Sequence, residues 1–452
     1  MLAELAAAVR RGEIDPVDLV AESLRRIDAS HQDLNAVVGR RDDEALEEAR
    51  HSPRSGALAG LPLLVKDMAR CKGMVTTMGS ALFAKAAPDV VDDVVVARLR
   101  AAGAIVVGRT NTPAFGHAAF TTNTLFGPTR NPWNRERSPG GSSGGSAAAL
   151  AAGLVPLATA SDGGGSVRIP ASACGLVGYK PTMGAIGRNV LPRWIHFSTQ
   201  GVAGTSVADV VTEASVTLGP ARGDFLSLPR AGIQLDPVRP SGVLACRSFR
   251  GGLDPAIEAS FEEALDVLAR TGLAVERVQA PSDSSVAMSW FEMSSAELAQ
   301  SLDGDRQRWG EMEASLRVLL DFGAQVSAGA YIAAQRRRHE IAARFDDLLG
   351  SDRVLVVPTL NVASWPPEGP LPTAAGSVSD DPFVAVNTND LNFTGHPAVS
   401  VPLGRDEAGV PFGLQIVAPR FGDGLALGLA EVVHRQRPWP LVAPGYRAFW
   451  ET

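Results

Sequence analysis

Ser138-Pro-Gly-Gly-Ser-Ser-Gly-Gly-Ser146, then an apolar run from Ala147 to Ala160, then Ser161-Asp-Gly-Gly-Gly-Ser-Val-Arg-Ile-Pro170: this stretch says more than any other part of the chain. Two glycine-rich loops, each holding serines, flank a run of Ala and Leu long enough for a helix. Glycine lacks a Cβ, so such loops turn sharply, accept positive φ and aim several backbone N–H groups into one hollow. A serine beside that hollow has an oxyanion receptor next to its hydroxyl, which is what acyl transfer requires. Each loop alone also has a plainer reading. Gly163-Gly164-Gly165-Ser166 fits a flexible turn, and Ser166 before Val167-Arg168 fits a helix N-cap.

Outward from these loops, further segments fall into one pattern. They are Gly60-Leu-Pro-Leu-Leu-Val-Lys66-Asp67, Gly108-Arg-Thr-Asn-Thr-Pro-Ala-Phe115, Gly127-Pro-Thr-Arg-Asn-Pro-Trp133 and Cys174-Gly-Leu-Val-Gly-Tyr-Lys-Pro-Thr182. Val356-Val-Pro-Thr359 and Asn392-Phe-Thr-Gly-His-Pro-Ala-Val-Ser-Val-Pro402 follow near the C-terminus. Together with the two serine loops they resemble the amidase signature family, serine hydrolases that cleave carboxamides. The resemblance covers nearly the whole chain. It is strongest from Leu61 to Thr182 and weak from about Ser241 to Ser351.

The resemblance implies an α/β fold, with a central mixed β-sheet covered by α-helices on both faces. It implies one domain over residues 1–452. That domain comprises an N-terminal helical region (1–55), a signature core (61–182) and a variable region (240–350) that sets the substrate. It also implies a Ser–Ser–Lys triad: Ser166 as nucleophile, Ser142 as bridging serine and Lys66 as base. The Gly141–Ser142 peptide is expected to be cis, as in relatives. The N–H groups of Gly163, Gly164, Gly165 and Ser166 would form the oxyanion hole. Gly163 stands where relatives carry a hydroxyl-bearing or branched residue, and this is expected to loosen the hole slightly. Asp162 and Arg168 match the family as loop stabilisers. Gly141, Ile169, Trp194 and Phe197 are the expected substrate contacts.

The physics of Lys66 agrees with this role. A serine hydroxyl needs a base, and an exposed lysine, with a pKa near 10.4, is almost wholly charged at neutral pH. Lys66 follows Leu63, Leu64 and Val65, the pattern of a strand buried on both faces, so at least its stem is desolvated. From the strand alone, a lysine that snorkels or pairs with Asp67 reads as well. The overlapping GxSxG patterns at Gly140 to Gly144 and Gly141 to Gly145 would suggest a nucleophile elbow. Arg135-Glu-Arg-Ser-Pro139 before them is not a buried strand, so the match is coincidental. Cys174 reads as core packing, and His117, His196 and His396 as structural.

Bulk properties exclude other classes. A net charge of −7 without a basic tract argues against a nucleic-acid partner. No apolar run approaches the ~20 residues of a membrane span, and Arg10-Arg-Gly-Glu-Ile-Asp15 follows the first apolar residues too closely for a signal peptide. Three cysteines without CxxC spacing read as reduced thiols in a cytoplasm. Seven scattered histidines lack metal-site spacing, so no metal and no cofactor is expected. The expected partner is a small-molecule amide, ester or carbamate, and the expected state is a monomer or homodimer.

The apolar periodicity predicts helices over Met1 to Arg50, Val91 to Ala102, Ala147 to Ala152, Pro255 to Thr271, most of Ser315 to Leu349, and Leu425 to His434. It predicts strands at Leu61 to Val65, Ala104 to Val107, Leu154 to Thr159, Val243 to Ala245, Val354 to Val357, Ala398 to Val401 and Leu414 to Val417. Pro358 to Ser379 reads as a long loop. One competing function is a glutamine-dependent amidotransferase A-type subunit that supplies ammonia within a complex. Such relatives usually carry Gln three residues after the nucleophile and Asp-Glu-Phe-Ala before the serine loops. Here Ile169 and Thr112-Pro113-Ala114-Phe115 stand in those places. A catalytically dead binding protein is disfavoured because all three triad residues are present.

Overall fold

Pro62 to Lys66 form a strand buried along its whole length, and its alternation explains the continuous apolar run. Successive side chains of a strand point to opposite faces. Leu63 and Val65 pack with Val95, Val96 and Leu99 of a helix over Val94–Ala101. Leu64 packs on the other side with Ala148 and Leu150. Helices therefore cover both faces here. The same holds across the sheet, where Val354 and Val356 join one core cluster and Leu355 and Val357 another.

The computed structural model describes residues 1–373 and 384–449. In chain order the strands are β1 (Val37–Arg40), β2 (Pro62–Lys66), β3 (Ile105–Thr110), β4 (Leu157–Asp162), β5 (Val177–Lys180) and β6 (Thr199–Gly204). Then come β7 (Gly242–Ala245), β8 (Ala274–Arg277), β9 (Arg353–Pro358), β10 (Ala398–Arg405) and β11 (Pro411–Val417). They form one 11-stranded sheet in the order β1-β3-β2-β4-β6-β5-β10-β11-β9-β7-β8. β2 runs parallel to both β3 and β4, and β7 parallel to both β8 and β9, while the strands between are antiparallel. The sheet is thus mixed, as expected. Four helices matter for the site: α1 (Gly144–Ala151), α2 (Arg168–Cys174), α3 (Ser285–Ser301) and α4 (Ala328–Leu349).

Most predicted elements lie where the periodicity puts them, with three kinds of difference. The N-terminal region holds helices at Leu2–Arg10, Pro16–Leu34 and Asp42–Arg50, but β1 lies between the second and third. The strand expected at Leu154 to Thr159 begins at Leu157, because Gly153 to Pro156 close the turn after α1. β5, β6, β8 and α3 have no counterpart among the predicted elements. Of the loop expected over Pro358 to Ser379, the part from residue 374 onward lies outside the described residues. No described helix is long and apolar enough to cross a membrane.

The topology brings the signature segments together. Lys66 ends β2 and Asp162 ends the neighbouring parallel β4. The carboxyl ends of parallel strands are where α/β sheets open toward ligands. α1 lies against β2 and β4 through small residues, all of them buried. Its first two glycines are required by close approach: a Cβ on Gly144 would sit 2.3 Å from Thr121 Oγ1, and one on Gly145 2.5 Å from the Asn111 nitrogen.

Candidate active site

Lys66 sits wholly inside the protein, yet all three N–H bonds of an ammonium would be matched. Nζ lies 2.8 Å from Ser142 Oγ, 2.9 Å from Ser143 Oγ and 3.1 Å from Ser161 Oγ. It does not pair with Asp67, whose carboxylate accepts from the Thr77 and Gly79 backbone N–H groups and from the Thr77 hydroxyl. Burial drives the Lys66 pKa down to about 7, against a smaller upward pull from the Asp162 charge. About half of the side chain is then the neutral amine at pH 7. Lys180 is also brought to about 7, by burial and the Arg168 charge, but its Nζ donates to the Pro181 carbonyl at 2.9 Å.

The Gly141–Ser142 peptide is cis, as expected. Ser142, Ser166 and Lys66 share one cavity of about 1010 Å³. The Ser143 N–H donates to the Ser166 carbonyl at 3.2 Å, which ties the two serine loops together.

The glycine loop is fixed from outside. Trp290 Nε1 donates to the Gly163 carbonyl at 3.0 Å, Thr388 Oγ1 to the Gly164 carbonyl at 2.6 Å, and the Ile169 N–H to the Gly165 carbonyl at 2.7 Å. In a planar trans peptide the N–H points opposite to the C=O. Holding these carbonyls therefore turns the N–H groups of Gly164, Gly165 and Ser166 the other way. The Gly165 N–H is taken by Asp162 Oδ1 at 2.7 Å. Gly165 is thus a fixed turn of the loop and not a free donor. Its φ of +127° and the 2.1 Å approach of Thr388 Oγ1 to a would-be Cβ restrict the position to glycine. Among the described residues, the N–H groups of Gly163, Gly164 and Ser166 have no hydrogen-bond partner.

The third glycine does not leave the loop loose. A Cβ on Gly163 would come within 2.5 Å of the Trp194 ring, and one on Gly164 within 2.9 Å of the Trp290 ring. The two indoles meet edge to face at 5.3 Å. Gly163 makes room for Trp194, and the indole fills the space that a branched residue would occupy.

Asp162 and Arg168 are both fully buried and pair through two hydrogen bonds, Nε to Oδ2 at 2.9 Å and Nη2 to Oδ1 at 2.8 Å. Arg168 also donates to the Thr388 carbonyl, Gln415 and Asn392. Burial pulls the Asp162 carboxyl upward, but the Arg168 charge and hydrogen bonds pull harder, and its pKa settles at about 2.

The expected substrate contacts divide. Trp194 lines the cavity. Phe197 does not line the cavity; it is buried, stacked on Phe393 with ring centroids 6.3 Å apart and 5.7 Å from the Trp290 ring. Ile169 packs under Gly165, and Gly141 is enclosed by Ala118 and Phe120. Cys174 is buried, and burial raises its thiol well above the ordinary range. His117 and His396 bond Ala114 and Asp346, away from Ser166. Ser143, Ser161, Trp290 and Thr388 belong to the site and are not among the expected site residues. Ser143 and Ser161 lie in the serine-bearing loops and Trp290 is an aromatic in a weakly matching region, whereas Thr388 carries no signal in the sequence.

Comparison with known proteins agrees with this geometry. The Amidase family model matches residues 18–427. The chain belongs to the amidase family. It is 37% identical to the A-type subunit of the glutamyl-tRNA(Gln) amidotransferase of Thermus thermophilus, over 92% of this chain and 93% of that one. It is 32% identical to an acylamidase of Rhodococcus erythropolis, over 96% of this chain and 95% of that one. A bacterial aryl acylamidase of the amidase signature family superposes with a TM-score of 0.89 at 28% identity, covering 97% of this chain and 96% of that chain.

Arg168→Met keeps the volume but leaves the Asp162 carboxylate buried without its counter-charge. The unfolding free energy should fall by about 3–5 kcal/mol in denaturant titration. A loss below about 1 kcal/mol would show that other donors carry the carboxylate.

Proposed function

We propose that this chain hydrolyses the C–N bond of small-molecule amides through an acyl-enzyme on Ser166. The observation that carries this reading is the short contact between a wholly buried Lys66 and Ser142. In the first step the neutral Lys66 amine takes the Ser142 proton while Ser142 takes the Ser166 proton, and Ser166 Oγ bonds to the carbonyl carbon. The free N–H groups of Gly163, Gly164 and Ser166 receive the oxyanion. Reversal of the proton relay delivers a proton to the leaving nitrogen as the C–N bond breaks. Water then repeats the sequence and releases the acid. Ser166 Oγ makes no hydrogen bond among the described residues, and such contacts commonly tighten only when substrate is in place.

Esters and carbamates are open to the same acyl-enzyme chemistry. For substrate preference, Trp194 and Trp290 beside the loop favour apolar, aryl-bearing amides or carbamates. Residues of the 240–350 region contribute to the cavity wall, including Ala296, Glu297 and Tyr331, which supports that region as the determinant of specificity. The three cysteines are free and buried, which supports a reducing, cytoplasmic setting. The amidotransferase reading has the similarity to A-type relatives in its favour. Ile169 packed beneath Gly165, and Thr112-Pro113-Ala114-Phe115, weigh against it.

Three outcomes test the reading. Ser166→Ala should abolish turnover and labelling by a covalent serine reagent while leaving the circular dichroism spectrum unchanged; labelling that persists places the nucleophile elsewhere. For Lys66, kcat/KM should rise with pH through about 7 and level off above it, because only the neutral amine accepts a proton. Lys66→Ala should cost about 10²–10⁴-fold even toward activated esters, and chelators should change nothing. Trp194→Ala should raise KM for anilides more than for small aliphatic amides. Better kcat/KM on acetamide or glutamine than on any anilide would overturn the apolar pocket and leave the triad standing.

A further inference from the structure

The cavity wall carries one carboxylate without a Lys or Arg partner within 4.0 Å among the described residues. Glu297 is buried, and its side chain is only 4% exposed. It accepts from the Tyr331 hydroxyl at 2.6 Å and, through the same Oε1, contacts His196 Nδ1 at 3.0 Å. Its other oxygen, Oε2, has only a 3.4 Å contact with the His196 backbone N–H. Among the described residues no Lys or Arg lies within 4.0 Å of it. The remaining carboxylates on the wall are paired: Asp93 with Arg70 and Asp303 with Arg306. Arg338, whose charge Glu297 feels, donates to the Phe393 and His196 carbonyls and to Met183. Arg193, a cation on the same wall, lies over the Phe83 and Phe115 rings and donates to Ser301.

An anionic carboxylate taken out of water costs free energy unless it is paired. A phenol, an imidazole and a distant amide N–H leave one of its oxygens nearly unused. That oxygen belongs to a residue on the wall of the cavity that Ser166 also lines.

Its distance from the reacting centre follows from the helix. Trp290 of α3 touches the glycine loop, and Glu297 lies two turns further along the same face. Seven residues at 1.5 Å each place the two side chains about 10 Å apart along the axis. A second segment makes the same link, since Trp194 packs on Gly163 and His196, two residues on, meets Glu297. We propose that Glu297 is a subsite for the primary ammonium of an amide substrate, about 10 Å along α3 from the Trp290 that holds the glycine loop, the reach of about three extended residues. The inference rests on the amidase reading for the identity of the cavity and adds a charge to the apolar substrate proposed above.

The test uses matched amides of that length. One pair carries the chain on the acyl side and one on the amine side, and each chain ends in a primary ammonium or a methyl group. A carboxylate-ended analogue is the control. Kd is read on the Ser166→Ala protein, so the result does not depend on turnover, and kcat/KM is read on the wild type. In at least one pair the ammonium form should bind about ten-fold or more tightly than the methyl form. Glu297→Gln, which keeps the shape and a hydrogen-bonding group, should erase that preference in Kd. Tyr331→Phe removes a neutral donor and should preserve the preference; its loss there would assign recognition to the phenol and overturn the proposal. Equal binding in both pairs, tighter binding of the carboxylate form, or an unchanged preference in Glu297→Gln would also overturn it. An ammonium preference in binding without hydrolysis of any amide would sink the amidase reading and leave the subsite standing.

Discussion

The salt bridge between Asp162 and Arg168 is the interaction on which the site depends. Asp162 closes β4 and spends its oxygens on the Gly165 and Val167 N–H groups, on Arg168 and on Asn392. Arg168 opens α2 and reaches Thr388, Gln415 and Asn392, in the C-terminal third of the chain. One ion pair therefore sets the turn of the glycine loop and joins it to the far end of the sequence. A buried ion pair is a poor source of net stability but a demanding one, because removing either partner strands the other. Its value here is shape. The Asp162 charge also opposes the effect of burial on Lys66, whose pKa is lowered to about 7.

Around this pair the family frame is filled in its own way. The carbonyls of the loop are held from outside, that of Gly163 by Trp290, that of Gly164 by Thr388 and that of Gly165 by the start of α2. The Trp194 ring takes the space that a Cβ at position 163 would need. Trp194 lends its indole to the cavity wall, with Trp290 packed edge to face on it and Glu297 further along the Trp290 helix.

The parts of the protein that are legible in the sequence are those in which neighbours in the chain are neighbours in space. Lys66 is carried by its strand, and Ser142 and Ser166 by loops whose glycines have backbone reasons. The two-faced burial of β2 and β9 is readable as continuous apolar runs. β8 is not, because Ala274–Arg277 is a largely exposed edge strand with no apolar face. α3 escapes the periodicity because its buried side includes Ser289, Ser294 and Ser295, so its stripe does not read as apolar. Thr388 and Glu297 join the site only through folding across more than a hundred residues, and their types give no hint of it. Gly165 shows the limit inside the motif itself: its N–H reads as a donor to substrate and serves Asp162.

The edge of the sheet has an evolutionary consequence. The chain leaves β8 at Arg277 and returns in β9 at Arg353, and both strands flank β7. The whole excursion that carries α3 and α4 must therefore satisfy one geometric condition: it spans a gap of two strand spacings, about 9.5 Å, and runs back three residues along the parallel strands, about 10 Å, a diagonal of about 14 Å. Any insert that closes that gap leaves the hydrogen-bond ladder of the sheet intact. The lysine, the two serines and the salt bridge all lie outside it. An exchange of this excursion would leave those residues in place but would take with it Trp290, whose indole holds the Gly163 carbonyl.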